Sequence, residues 1–269
     1  MKKLLFCLIF IGMWGSNVGL AQTLQETFKY TFRLQPGSRL IVENTNGNVR
    51  IEGWDRSEVY VEATKKAQGS KRQDIMRGFE NLRIQLRHEK KDLVITTIYP
   101  PRSFSLWNFL QGKHYRLRVD YYIKVPRVMK VHVQTTNGNV TASGVSGNVL
   151  LRSMNGNIQL YNCTGLVKMR TTNGNIAIQL NQLKAGGEYE GKTTNGNILV
   201  QLPEEAQFEI HAHTTNGTVS NSFKIWPQCK YRMSHLDGTV GKPEAVFLLS
   251  TTNGNIRVYP IALQNAHLF

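Results

Sequence analysis

The sequence predicts an all-β protein: a β-solenoid like a parallel β-helix, preceded by a less regular N-terminal β region. The first observation is a hexapeptide, Thr-Thr-Asn-Gly-Asn-Ile, which occurs unchanged at residues 171–176, 193–198 and 251–256. The second is the apolar alternation that follows each copy, as in Ile176 and Ile178. Alternation of period two indicates a strand with one buried face.

The repeat array is predicted to occupy residues 132–260 in coils of 16 to 22 residues. Successive motif glycines from Gly138 to Gly254 are 18, 18, 22, 21, 21 and 16 residues apart, counting Gly238 in the imperfect copy Asp237-Gly238-Thr239. An isolated earlier copy surrounds Gly47. The following turn residues are expected to stack as a structural ladder: Asn137, Gly138, Asn155, Gly156, Asn173, Gly174, Asn195, Gly196, Asn216, Gly217, Asn253 and Gly254.

An antiparallel β-meander or sandwich is the alternative, because Asn-Gly also favours two-residue hairpin turns in which both residues adopt positive φ. The identity of the turn residues favours the solenoid, in which each repeat is one coil stacked on the one before it. Coils stacked at about 4.8 Å would place Asn on Asn and Thr on Thr, where hydrogen-bonded ladders can form. The strands entering the turns also share one parity, which predicts these inward positions: Leu40, Val42, Asn44; Val131, Val133, Thr135; Val149, Leu151, Ser153; Val167, Met169, Thr171; Phe208, Ala212, Thr214; and Phe247, Leu249, Thr251.

Residues 1–21 have the pattern of a secretory signal peptide. Lys2 and Lys3 precede an apolar run that ends at Trp14, and small residues lead to a predicted cleavage site after Ala21. The run is shorter than the roughly 20 apolar residues of a membrane-spanning helix. The mature chain is therefore expected to be exported to the periplasm, cell surface or extracellular space, and not to be an integral membrane protein.

Residues 22–131 are predicted to contain the first repeat together with longer strands that cap or widen the first coils. A short helix is expected within residues 70–81, and residues 261–269 form a C-terminal tail. The loop from Pro100 to His114 is rich in aromatic and basic residues, and we expect it to plug one end of the solenoid rather than to bind a ligand. Its prominent residues, with the one that follows it, are Arg102, Phe104, Trp107, Phe109, Lys113, His114 and Tyr115.

Several motifs occur together in one order. The signal peptide is followed by Gly53-Trp54-Asp55-Arg56, then by residues 58–63 (Glu-Val-Tyr-Val-Glu-Ala), by Val119-Asp120-Tyr121 running into Val125-Pro126, and by the repeats. In this order the chain resembles the bacterial putative-adhesin family of β-strand repeat proteins over nearly its whole mature length. The resemblance implies a β-helical protein of the bacterial envelope or a secreted one, with no enzymatic activity and no catalytic residue to transfer.

The chain has a formal net charge of +15, or +13 after removal of Lys2 and Lys3. A surface this basic attracts polyanions, and outside a cell these include acidic envelope glycans and surface polymers. Stacked coils would align outward basic residues beside the second Thr of each motif. The hypothesis is that these residues bind a linear anionic polymer: Arg152, Lys168, Arg170, Lys192, His132 and His213. No specific nucleic acid is expected, because no stacking aromatic residues interleave with this set.

No catalytic, cofactor or metal site is predicted. A polysaccharide-active β-helix enzyme, the alternative function, would need converging carboxylates, and Asp92 and Asp120 are the only Asp residues near the aromatic loop. His211 and His213 are expected to face outward without the third ligand that zinc requires. Cys163 and Cys229 should not pair, because three stacked coils would separate them by about 14 Å.

Overall fold

The computed structural model of the protein describes residues 22–34, 37–89, 91–100, 115–226 and 234–261. The predicted signal peptide (residues 1–21), residues 101–114 of the aromatic loop, Cys229 and the residues from 262 onward lie outside the described residues. In chain order the elements are β1 (Gln22–Arg33), β2 (Arg39–Glu43), β3 (Val49–Trp54), β4 (Glu58–Gly69), α1 (Arg72–Asn81), β5 (Arg83–Glu89), β6 (Asp92–Ile98), β7 (Tyr115–Pro126), β8 (Lys130–Asn137), β9 (Val140–Ser143), β10 (Val149–Asn155), β11 (Ile158–Tyr161), β12 (Leu166–Asn173), β13 (Ile176–Gln179), β14 (Gly187–Asn195), β15 (Ile198–Leu202), β16 (Phe208–Asn216), β17 (Val219–Asn221), β18 (His235–Val240), β19 (Ala245–Asn253) and β20 (Ile256–Pro260).

The strands form two ten-stranded sheets. Sheet 1 has the order β1-β4-β7-β3-β9-β11-β13-β15-β20-β17, and sheet 2 has the order β18-β16-β19-β14-β12-β10-β8-β2-β6-β5. A typical coil consists of one strand of sheet 2, a corner, and the next strand of sheet 1, as in β10 and β11. Adjacent coils pair in parallel in both sheets. The β-solenoid prediction is therefore confirmed, and the antiparallel meander is wrong for the repeat array.

The core lies between the two sheets and is lined by the predicted inward positions. Val133, Leu151, Met169 and Phe247 are fully buried or nearly so, as are their counterparts on the other strands. Side chains from both sheets belong to one continuous apolar cluster. The shared parity of the entering strands thus predicted the buried face correctly.

The stacking order of the coils departs from the chain order at both ends. The last coil in sequence, β19–β20, lies between the β14–β15 coil and the β16–β17 coil. At the other end, the β2–β3 coil lies between β8–β9 and the coil formed by β6 and β7. The expectation that each repeat stacks on the one before it is therefore wrong in these two places.

The segment around Gly238 explains the displaced C-terminal coil. Gly238 is not a corner: it lies inside β18, which runs antiparallel along the outer edge of β16. The chain then returns through Glu244, whose backbone N–H donates to Gln207 O and whose carbonyl accepts from Gly186 N–H. This connection places β19 in the space between β14 and β16, and successive corner glycines Gly217 and Gly254 are consequently 37 residues apart rather than 16 to 22.

The corner glycines are required because the coils touch backbone to backbone there. A Cβ added to any of the seven corner glycines would lie 2.0 to 2.2 Å from a carbonyl oxygen of the adjacent coil. These glycines are Gly47, Gly138, Gly156, Gly174, Gly196, Gly254 and Gly217. Among the described non-glycine residues only Asn162 has positive φ, so the Asn-Gly pairs are not the type I′ turns of hairpins.

Both asparagines of the motif form ladders through the whole stack. At the first position each side-chain amide donates to the Oδ1 of its neighbour at 2.7 to 2.8 Å, in the order Asn46, Asn137, Asn155, Asn173, Asn195, Asn253 and Asn216. At the second position each Oδ1 accepts a backbone N–H of the adjacent coil, as Asn157 does from Asn175 at 2.8 Å. The predicted Asn-on-Asn ladder is confirmed.

The first Thr of the motif hydrogen-bonds across the stack, but not to another Thr. Thr193 Oγ1 donates to the carbonyl oxygen of Gly174 at 2.9 Å, and Ser153, Thr171, Thr214 and Thr251 make the equivalent bond. Thr135 is the exception. The matching carbonyl of Gly47 accepts from the Asn44 amide instead, and the buried Thr135 hydroxyl has no partner among the described residues.

Antiparallel elements cover the ends of the solenoid. At the N-terminal end, β4 and β1 extend sheet 1 and β5 extends sheet 2, while α1 packs on the adjoining strands through the buried Ile75. Helix α1 matches the helix predicted within residues 70–81. At the other end, β18 covers the edge of β16. Such covers limit edge-to-edge pairing between molecules.

Changing Thr193 to Val should destabilise the protein by about 0.5–1.5 kcal/mol, because it removes the hydroxyl donor of the part-buried Gly174 carbonyl. Thr135→Val is the matched control at the equivalent position of another coil. It should be neutral or stabilising, because the lost hydroxyl has no partner. Urea unfolding of both variants measures the difference, and equal losses would contradict the assigned hydrogen bonds.

Candidate functional site

Parallel in-register strands place equivalent outward residues side by side on sheet 2. Arg152, Arg170 and Lys192 occupy directly opposed positions on β10, β12 and β14, about 4.8 Å apart along the stack. All three side chains are exposed. These three residues are called the basic row below.

A row of hydroxyl groups lies two residues further along the strands of sheet 2. It consists of the second Thr of each motif: Thr136, Thr172, Thr194, Thr252 and Thr215. Met154 takes this position in β10 and is 55% exposed. The outward surface therefore presents cations and hydroxyl groups in parallel rows.

Glu190 neutralises part of this surface. Its carboxylate contacts Lys168 Nζ at 3.3 Å and the Arg170 guanidinium at 2.6 Å. Although partial burial opposes it, the hydrogen bonds from Arg170 and Lys168 hold the pKa of Glu190 below its ordinary value. Arg152 and Lys192 form no ion pair within the described part of the chain, so four cations and one carboxylate leave a local charge of +3.

Like charges on directly opposed positions of neighbouring strands are destabilising. The basic row stacks three such charges in succession, and Glu190 compensates only the middle one directly. An anionic group placed along the row would relieve the remaining repulsion. The arrangement is thus unfavourable for stability alone and favourable for binding an anion.

Neither predicted histidine extends this cluster of cations, although His132 lies on β8, the strand next to that of Arg152. Burial, together with the positive charges of Arg152 and Arg39, lowers the pKa of His132, and its buried Nε2 has no hydrogen-bond partner among the described residues. It therefore carries no charge at neutral pH. His213 is separated from Lys192 by Ser250 of the inserted β19, a separation that only the altered stacking order produces. The structure brings together the other four predicted residues, which lie on adjacent strands of sheet 2: Arg152, Lys168, Arg170 and Lys192.

His213 instead belongs to a histidine cluster at the C-terminal edge of sheet 2. Its ring lies 5.9 Å from that of His235, which contacts the carboxylate of Asp237. His211 Nδ1 lies 2.8 Å from Asp237 Oδ1, and His211 Nε2 lies 2.9 Å from Glu209 Oε1. Because carboxylates only accept, both contacts favour the doubly protonated ring, and the hydrogen bonds that His211 donates to Asp237 and Glu209 raise its pKa.

The carboxylates considered for an enzyme make structural contacts. Asp92 pairs with Arg39 at 2.7 Å. Asp120 accepts from the Arg118 guanidinium and from the backbone N–H of Asn48, so it begins the second Asn ladder. Across the described ranges, no three His, Cys, Asp or Glu side chains are placed to hold a metal ion.

Cys163 is a free, buried thiol, and burial raises its pKa to about 11.

The two parallel sheets, the backbone-stacked corners and the charged outer rows together define a β-solenoid repeat protein. The model of the family described as Toastrack DUF4097 matches residues 116–259. The chain belongs to this Toastrack family. No curated protein matches the sequence at a significant level.

Three solved structures show distant similarity. A putative cell adhesion protein from Clostridium sporogenes is 13% identical with a TM-score of 0.45, covering 87% of this chain and 99% of that one. A putative adhesin from Bacteroides fragilis is 12% identical with a TM-score of 0.33, covering 87% and 97%. A putative lipid binding protein from Parabacteroides distasonis is 10% identical with a TM-score of 0.28, covering 90% and 97%.

The described residues contain no helix with the length and apolar character needed to cross a bilayer.

The His211 contacts predict a pH-dependent contribution to stability. A histidine pKa raised by folding adds stability that is fully present below the unfolded value of about 6.5 and is lost as the pH rises through the folded value. The melting temperature of the wild type should therefore exceed that of His211→Gln by more at about pH 6 than at about pH 9. Thermal melts of both proteins across this range test it, and a pH-independent difference would contradict the assigned contacts.

Proposed function

We propose that the protein is a noncatalytic, exported β-repeat protein that binds linear anionic polymers of the cell envelope through the basic row. The supporting observation is the stacking of Arg152, Arg170 and Lys192 on three adjacent strands of sheet 2. Of these three cations only Arg170 forms an ion pair, with Glu190, among the described residues. Export rests on the signal-like residues 1–21. Such binding would suit a role in adhesion or in envelope maintenance.

The geometry favours an extended polymer over a small anion. The charges form a line across the strands on an exposed sheet face. A polymer with regularly spaced negative groups can meet several of these cations at once. Charge-assisted hydrogen bonds would supply affinity, and the Thr172 and Thr194 hydroxyls beside the row would add short-range contacts to the backbone of the polymer.

Changing Arg152, Arg170 and Lys192 together to Gln should weaken binding to polygalacturonate, a linear polyuronate, by at least about tenfold at low salt. The salt dependence of the remaining binding should also be shallower, because fewer counterions are exchanged. Equilibrium binding across a salt series measures both effects. Neutral dextran should not bind to the basic row.

A charge-matched control separates the basic row from net charge. Arg72, Arg77 and Arg257 are exposed cations on α1 and on sheet 1 that form no ion pair within the described ranges, and their change to Gln removes the same three charges. This control should bind nearly as the wild type does. Equal losses in the two triple variants would assign binding to overall charge and contradict the proposed face.

A further inference from the structure

A second surface feature lies on the opposite side of the solenoid, on the outward face of sheet 1. Trp54 at the end of β3, Tyr60 on β4 and Tyr122 on β7 are outward aromatic residues on three adjacent strands. Each of these side chains is half-buried, so part of it remains accessible to solvent. They border a shallow cavity of about 410 Å³, which is called the aromatic groove. Its lining residues are Thr31, Trp54, Arg56, Glu58, Tyr60, Glu62, Tyr122 and Lys124.

Hydrogen bonds hold the three rings in place. Trp54 Nε1 donates to the carbonyl oxygen of Glu58 at 2.7 Å, Tyr60 Oη donates to Glu62 at 2.8 Å, and Tyr122 Oη donates to Glu52 at 2.6 Å. The Trp54 and Tyr60 rings are 6.5 Å apart at an angle of 46°, so they form two inclined walls. Rings fixed before a ligand arrives lose little entropy on binding.

The groove is balanced in charge, in contrast to the basic row. Its lining residues include two cations, Arg56 and Lys124, and two carboxylates, Glu58 and Glu62, so their charges cancel. The Arg56 guanidinium lies 5.0 Å from the Trp54 ring centroid, and Lys124 Nζ lies 5.6 and 5.7 Å from those of Tyr122 and Trp54. The two cations therefore lie over the Trp54 and Tyr122 rings, and the two carboxylates add hydrogen-bond acceptors to the same groove. A strongly anionic ligand would meet two carboxylates here.

These properties match the surface of a neutral sugar. One face of a pyranose ring presents C–H groups that pack on an aromatic face, whose electron density is negative. The hydroxyl groups around the ring donate to carboxylates and accept from ammonium and guanidinium groups. The volume falls within the range of about 300–1,000 Å³ that is usual for small-ligand sites.

We propose that the aromatic groove binds one or two units of a neutral glycan chain. Trp54 and Tyr60 stack on the sugar rings, Glu58 and Glu62 accept from hydroxyl groups, and Arg56 and Lys124 donate to them. Burial and the hydrogen bond to Glu62 raise the pKa of Tyr60 to about 12, so its hydroxyl stays protonated and keeps Glu62 in place. The site is independent of the basic row, because the two lie on opposite sheets.

The test is calorimetric titration of residues 22–269 with hexasaccharides of glucose, mannose, galactose and N-acetylglucosamine. At least one should bind, and Trp54→Ala should weaken that binding at least about tenfold, the loss expected for one stacking ring. Trp226→Ala is the matched control, because Trp226 is 74% exposed and does not line the groove. It should bind as the wild type does.

A measurement on the wild-type protein keeps the test independent of any folding defect in Trp54→Ala. The indole N–H resonances of Trp54 and Trp226 can be assigned with Trp54→Phe and Trp226→Phe. The bound sugar should shift the Trp54 resonance and leave that of Trp226 unchanged. Absence of binding to all four sugars, or binding that leaves Trp54 unshifted, would overturn the proposal. Neither result would bear on the basic row, whose probe is a polyanion.

Discussion

The fold depends on the close approach of backbones where one coil stacks on the next. At each corner a glycine lies against a carbonyl oxygen of the adjacent coil, with no space for a side chain. This contact brings the flanking residues within hydrogen-bonding distance. The first Thr then donates to the glycine carbonyl, the first Asn bonds to its counterpart, and the second Asn accepts a backbone N–H. Four of the six residues of the repeated hexapeptide are thus explained by contacts between coils.

The same contact sets the properties of the outer face of sheet 2. In-register stacking aligns equivalent positions, so any outward residue type that recurs in the sequence becomes a row on the surface. On sheet 2 this produces the basic row of Arg152, Arg170 and Lys192, with Glu190 as its partial counterion. Near the N-terminal end of sheet 1, where the repeats give way to longer strands, the surface becomes aromatic and balanced in charge. One scaffold therefore presents two chemically distinct surfaces.

Local pattern predicted much of this structure. Strand parity gave the buried face, and the identity of the turn residues gave the parallel stacking and the Asn ladder. Stacking order was not predictable in the same way, because every coil carries the same corner and any two coils can pair. Asp237-Gly238-Thr239 resembles the motif, but Gly238 is not a corner, because its backbone belongs to the antiparallel β18.

Long-range proximity explains the remaining differences in the sites. Ser250 separates Lys192 from His213 only because β19 is inserted between their strands. The loss of charge on His132 depends on burial, which its outward parity did not indicate. The aromatic groove combines residues from positions 54 to 62 with others from 122 to 124. The sequence motifs at residues 53–56 and 58–63 contain five of its lining residues, but they do not indicate that β7 lies beside them.

Disulfide trapping tests the stacking order most directly, in a background with Cys229 changed to Ser. Lys192 and Ser250 are opposed on adjacent strands, within the Cα separation of about 4.4–6.8 Å that a disulfide spans. Lys192 and His213 lie two strands apart, at about 10 Å. The structure predicts that Lys192→Cys with Ser250→Cys forms an intramolecular disulfide on mild oxidation, whereas Lys192→Cys with His213→Cys does not. Efficient bridging of the second pair and not the first would show that the coils stack in chain order, contradicting the structure described here.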